Sequence, residues 1–172
     1  MKIRQARLED SDLVYGFHRA LYLEHRARVM PEELEILFAY RQFPHVLRED
    51  VDAMLRNDTT VLLVAERIEA EQSHPVGLGY ISGYIQNDTR RVLSRKGIVG
   101  DWYVDPDGRG QGVGRALMQT LFAIFRESGC SIVETSTWSF NTETRKAMDR
   151  LGFREIQVTY RQQLESVGTE EE

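Results

Sequence analysis

VDPDGRGQGVG, Val104 to Gly114, decides how the rest of this 172-residue chain is read. Gly108, Gly110, Gly112 and Gly114 alternate there with Arg109, Gln111 and Val113. GIVGDWYV, 97–104, precedes it and is rich in β-branched and aromatic residues, which predicts a strand. Val113, Leu117, Leu121, Ile124 and Phe125 then recur at helical spacing, so a helix is expected over 112–127, ended by Ser128-Gly129. Glycine permits backbone angles that other residues resist and lets a ligand lie close. Successive N–H groups at a helix start form a nest for phosphate oxygens. Arg109 adds a charge-assisted donor. The stretch therefore reads as a phosphate or pyrophosphate site between a strand and a helix.

Two familiar phosphate loops fit poorly. A Walker A loop ends in Gly-Lys-Ser/Thr, and this chain has Gly114-Arg115-Ala116. The dinucleotide fingerprint matches at Gly108 and Gly110, but its third position is Val113, and two β-α-β halves are not available. A glycine turn with a purely structural role stays open on the motif alone.

Outward from the loop, the spacing predicts a strand over 2–6, a helix over 13–28, a second helix from Pro31, and a third over 46–55. Asp10 or Ser11 is the expected cap of the first helix. Strands follow over 59–66 and 76–87, the second with Gly77, Gly79 and Gly83, which hint at a bulge or a close backbone approach. A loop covers 70–75 and a basic connector 87–96. Beyond the central helix come a strand over 130–135, a helix over 141–150 and a last strand over 154–161, where Ile156, Val158 and Tyr160 alternate with Gln157 and Thr159. The order β-α-α-β-β-β-α-β-α-β implies an α+β fold, mixed α/β, with antiparallel hairpins in the middle and crossover connections near the end. We expect one domain over 1–163 and an acidic tail over 164–172.

Composition narrows the chemistry. There are 22 basic and 27 acidic residues, a net charge of -5, which offers no general grip on a nucleic-acid backbone. A single cysteine, Cys130, rules out an intrachain disulfide framework. His18, His25, His45 and His74 show no metal-ligand spacing, so no metal is expected. No apolar run reaches the length of a membrane span, and the N-terminus has no apolar targeting core, so a cytoplasmic location is expected.

Arg109, Gly112 and Gly114 also match Arg/Gln-x-x-Gly-x-Gly/Ala, the acyl-CoA signature of the GCN5-related N-acetyltransferase (GNAT) superfamily, which this chain resembles. DWYVDP, 101–106, looks like that family's fourth strand and loop entry, SIVET like its fifth strand, and LGF, 151–153, like its C-terminal element. The resemblance covers most of 1–161. It implies a central, mostly antiparallel twisted sheet flanked by helices, with the fourth and fifth strands splayed. It implies acetyl-CoA as cosubstrate, with its pyrophosphate on the amides of Gly110, Gln111, Gly112, Val113 and Gly114, and with Arg109 and Arg115 beside it. Tyr103 and Val104 would hold the pantetheine arm, Val104 through its backbone like an added strand. Asn141 falls where the family often contacts that arm.

Amine acetylation by direct attack in a ternary complex needs a general base. Asp101 and Glu134 are the candidates, because both carboxylates sit in otherwise apolar strands. Alternation places residues 99, 101 and 103 on one face. Trp102, Tyr103, Trp138 and Phe140 are candidates to line the acceptor pocket, and Tyr22, Glu24, Arg26 and Arg28 are further ones. One position departs from the family. The tyrosine that often protonates the leaving thiolate is replaced by Met148. That departure supports an alternative, a regulatory module that binds acyl-CoA with little turnover. The expected partners are an amine-bearing small molecule or peptide, with no nucleic acid and no membrane, and a homodimer.

Overall fold

The computed structural model describes residues 1–68 and 75–162, with the backbone alone at Leu37. Its strands are β1 (Lys2–Gln5), β2 (Thr60–Arg67), β3 (Val76–Asn87), β4 (Arg95–Val104) and β5 (Ile132–Thr135). Its α-helices are α1 (Ser11–Glu24), α2 (His45–Arg56), α3 (Val113–Glu127) and α4 (Thr142–Arg150). The strands form one sheet in the order β1-β2-β3-β4-β5. The first three pairings are antiparallel, and β4 with β5 is parallel. This is the mixed α+β sheet that the sequence predicts.

The sheet is buried on both faces because β2 is apolar at every central position. Leu63 and Ala65 face α3, where Leu117, Met118, Leu121 and Phe125 complete one core. Leu62 and Val64 face the other way, onto Val14 and Phe17 of α1 and Val51 of α2. Period-2 alternation thus divides one strand between two cores, giving a three-layer sandwich. Gly83 and Gly97 make room for Phe125: a Cβ at Gly97 would sit 2.2 Å from its ring.

The β3 glycines suggest a bulge or a close backbone approach, and pairing with β2 passes over Leu78 between Gly77 and Gly79; a second bulge lies on β4. Gly83 pairs with Val99 while Ile81 pairs with Trp102, so Gly100 and Asp101 together oppose Ser82. The extra residue reverses the alternation. Val99 joins the α3 core and Tyr103 the α1 core, not one common face as simple alternation predicts. Asp101 goes with Tyr103, toward His18 on α1.

Four further expectations need correction. The helix over 13–28 ends as an α-helix at Glu24 and continues as one π turn over His25–Val29, closed by the Met30 N–H on the His25 carbonyl at 2.8 Å. The helix expected from Pro31 is only a 3-10 stretch, Glu32–Leu37. The strand over 154–161 does not form: within the described chain β5 bonds only β4, so an alternating segment finds no ladder to join. Of the two expected α1 caps, Ser11 is the first helical residue, and Asp10 takes the N-cap position without a side-chain cap bond, its carboxylate accepting instead from the Arg7 N–H at 2.7 Å and from Arg4. The tail over 164–172 and nearly all of the 70–75 loop lie outside the described residues.

Candidate active site

Pairing between β4 and β5 runs from Lys96 with Ile132 to Val99 with Thr135 and then stops. From Gly100 to Val104, β4 carries no β5 partner, so its backbone edge opens onto a split. The glycine loop closes the end of that split. Gly112, at φ 81°, caps α3, and Gly110, at φ 74°, precedes it; both angles are left-handed ones that glycine adopts without strain. Nothing lies within 4 Å of where their Cβ atoms would be. Gly114 is different, since a Cβ there would meet the Trp102 ring at 2.9 Å. Two glycines thus leave open space above the loop, and one lets α3 press onto β4.

Among the described residues, no acceptor takes the N–H groups of Gly110, Gln111 or Gly112. Those of Val113, Gly114 and Arg115 are the unpaired donors of a helix start. Gln111 holds the loop, donating its amide to the Asp107 carbonyl at 2.6 Å. A cavity of about 790 Å³ opens in front, lined by Trp102, Tyr103, Val104, Arg109, Gly110, Gly112, Val113, Gly114, Arg115 and Asn141, and by Glu24 and His25 from the N-terminal helix. Unpaired donors, a free strand edge and an open groove suit a pyrophosphate carrying an extended amide-bearing arm.

The family model for the acetyltransferase (GNAT) family matches residues 20–153. The chain belongs to that family. Members of the family are acetyltransferases. No curated protein matches in sequence. Solved structures show the same fold. The BH1408 protein of Bacillus halodurans superposes with a TM-score of 0.78 at 19% identity, over 95% of this chain and 100% of that one. AAC(6')-Iy, bound to the bisubstrate analogue CoA-S-monomethyl-acetylneamine, gives 0.64 at 19%, over 95% and 98%. A ribosomal-protein-alanine N-acetyltransferase from Brucella melitensis gives 0.66 at 19%, over 95% and 100%.

In this GNAT chain the candidate residues fall into separate groups. Arg109 does not point free into the cavity. Its Nη2 lies 2.8 and 2.7 Å from the two Glu24 carboxylate oxygens, and its Nε donates to the Val104 carbonyl at 3.0 Å. Burial acts against the charge of Arg109, but Glu24 outweighs it and the pKa rises. The Tyr103 hydroxyl donates to Glu24 at 3.3 Å. Burial first, and then the negative charge of Glu24, push that phenol up to about 12, so it keeps its proton at neutral pH. Asn141 is 5% exposed: its carbonyl oxygen caps α4 at the Thr144 N–H, 3.1 Å away, and its amide nitrogen lies 3.3 Å from His25 Nε2. Burial pushes His25 below its ordinary value, while Asp101 and Glu24 pull it up.

Asp101 sits in the bulge. Its N–H donates to Ser82 Oγ at 2.8 Å, and its carboxylate receives that hydroxyl at 3.4 Å. His18 Nδ1 is 3.8 Å from the carboxylate and 2.7 Å from the Tyr80 hydroxyl. The negative charge of Asp101 acts on His25, Tyr40 and Tyr80, but like Glu134 it is not part of the cavity lining; it lies behind Trp102 and Tyr103, on the α1 side of β4. Glu134 stands apart. It does not line the cavity, and its carboxylate binds the Lys96 ammonium at 2.6 Å. Met148 packs against the α3 core. Trp138 stacks on Phe140 at 5.6 Å and meets Phe38 edge-on at 5.8 Å, while Phe140 reaches the cavity wall.

Sequence reasoning named Glu24 only as one of several helix residues and missed His18, Tyr80 and Ser82. Leu21, Glu24, His25 and Arg28 recur at the spacing of one helix face and all line the cavity. That spacing was the available signal for Glu24. Nothing in the spacing reveals His18 and Tyr80, which lie 62 residues apart.

Proposed function

We propose that this protein is an acetyl-CoA-dependent N-acetyltransferase acting by direct attack of an amine in a ternary complex. The observation that carries it is the unpaired amide row of the glycine loop at the end of the β4–β5 split. The amides of Gly110 to Gly114 and the Arg115 side chain hold the pyrophosphate, and the free edge of β4 at Val104 holds the pantetheine arm. Bound acetyl-CoA supplies a thioester whose carbonyl the amine attacks. Asp101 removes the amine proton, directly or through one water, with Ser82 and His18 fixing its carboxylate. Glu134 serves as a Lys96 partner instead of a base. Tyr103 takes the place of the missing tyrosine at Met148: it lines the cavity, is protonated at neutral pH, passes that proton to the departing thiolate, and regains one from solvent.

The acceptor is a primary amine on a small molecule or peptide, and the enzyme works in the cytoplasm as a homodimer. The neighbours named for aminoglycoside-type and ribosomal-protein acceptors share the fold at low identity, so they widen the choice of acceptor and do not fix it. The test is thioester cleavage with acetyl-CoA and a panel of butylamine, spermidine, neamine, lysine and an alanyl peptide, followed by mass detection of the acetylated amine. Saturable CoA binding with no acetyl transfer to any of them favours the regulatory module over the enzyme.

A further inference from the structure

We propose that the Glu24 carboxylate is the subsite for the acceptor's ammonium group, and that Arg109 masks it until the cofactor pyrophosphate draws the guanidinium away. This rests on reading the cavity as an acetyl-CoA site. Glu24 lines the cavity beside the half-buried His25, on the helix that closes its N-terminal side, and Asp101 lies behind the wall on the same side. Of the arginines nearby, Arg26 is taken by Glu35, and Arg28 is exposed at the rim. Arg109 alone neutralises Glu24, across 85 residues of sequence, with one nitrogen on both carboxylate oxygens.

Both of its holds are contested by the cofactor. The Val104 carbonyl that receives Arg109 Nε lies on the strand edge that would bind the pantetheine arm. The unpaired amides of Gly110 and Gly112 gather phosphate next to the guanidinium in sequence. The Glu24 and Arg109 side chains are 31% and 41% exposed, so their pair is screened and easily exchanged. A pyrophosphate is the stronger, bidentate partner for a guanidinium. Once Arg109 turns to it, Glu24 is left as a half-buried carboxylate with only the Tyr103 hydroxyl to satisfy it. An ammonium group restores the balance. Amine binding therefore follows cofactor binding, and each tightens the other.

The test is calorimetry with CoA and butylamine on wild type, Glu24→Gln and Glu24→Asp. Glu24→Gln removes the charge that holds Arg109, so CoA alone should bind it about 2- to 5-fold more tightly than wild type, with Glu24→Asp in between. Butylamine should bind wild type only when CoA is present. That CoA-dependent binding should be lost in Glu24→Gln and partly kept in Glu24→Asp, which retains the charge. Unchanged or weaker CoA binding by Glu24→Gln overturns the masking. Butylamine binding to wild type equally with and without CoA, or in neither state, overturns the ammonium subsite. If wild type binds no CoA at all, the acetyl-CoA reading of the cavity fails first.

Discussion

Asp101 is a carboxylate in the middle of a strand, and a bulge is what makes that tolerable. Without the extra residue opposite Ser82, its side chain would follow the regular alternation of β4; with it, the carboxylate finds a hydroxyl and an imidazole. As the base we propose, it is needed only when the amine loses its proton. Asp101→Asn should therefore lower kcat by about 100-fold or more while leaving the CoA dissociation constant unchanged. Glu134→Gln should keep kcat within about 2-fold, because its partner is the half-exposed Lys96. Equal losses in the two variants would reinstate Glu134 as a base. Tyr103→Phe should cost kcat about 10-fold, with a solvent isotope effect that shrinks as proton delivery to the thiolate is lost. Far from the cavity, Arg4 holds Asp10 through two hydrogen bonds of 2.7 and 2.8 Å. These bonds, more than the burial that opposes them, put the Asp10 carboxyl below its ordinary 3.8. A depressed folded pKa contributes stability above the unfolded value and loses it as pH falls through the folded one. Denaturant melts of wild type and Asp10→Asn should therefore converge as pH drops below about 4 and differ most near neutrality.

At the scale of elements, the glycine loop combines two demands that separate substitutions can tell apart. Gly112 is needed for its left-handed angle, and open space lies above it. Gly112→Ala should cost about 1 kcal/mol, or 2–4 °C in Tm. It should also weaken CoA, because the new methyl projects into the groove. Gly114→Ala should harm stability through packing, since its Cβ meets the Trp102 ring and the Val104 side chain at 2.9 and 3.1 Å. A calorimetric CoA titration and a thermal melt on each variant separate the two effects, and identical responses would contradict the division. The loop was legible in sequence because both demands select glycine at fixed spacing. The two cores were legible for a similar reason, since β2 and α3 carry their partners' faces in their own periodicity. Asp101 was found as an oddity, an acid in an apolar strand, but its partners were not. His18 and Tyr80 belong to apolar-looking faces, and only the bulge brings them to Asp101. The Arg109–Glu24 pair was hidden for the same reason, because a contact across 85 residues leaves no mark on local spacing.

The whole molecule leaves one segment of strong strand character without a strand to join. Ile156, Val158 and Tyr160 are 79%, 55% and 90% exposed, on alternate residues. Phe153, just before them, packs on Phe122 at 5.8 Å, which brings the chain out beside the α3–β5 side of the sandwich. There the sheet ends: β5 bonds β4 along one edge and, among the described residues, nothing along the other. A small pocket of about 160 Å³, lined by Phe122, Phe125, Cys130, Ile132 and Val133 together with Arg126 and Ser131, lies at that edge. A strand-forming segment without a ladder and an unpaired edge in the same chain are complementary, and a second copy satisfies both twice under two-fold symmetry. This is the dimer contact we propose. Light scattering after gel filtration should therefore give about twice the 19.9 kDa chain mass for wild type. Ile156→Asp with Val158→Asp should give the single-chain mass, with the far-UV spectrum of the core retained. Hydrogen exchange should show the amides of 154–161 protected in wild type and fast in the double variant. A wild-type monomer with fast exchange there refutes the contact, and a monomer with slow exchange assigns the segment to its own chain's β5 edge instead.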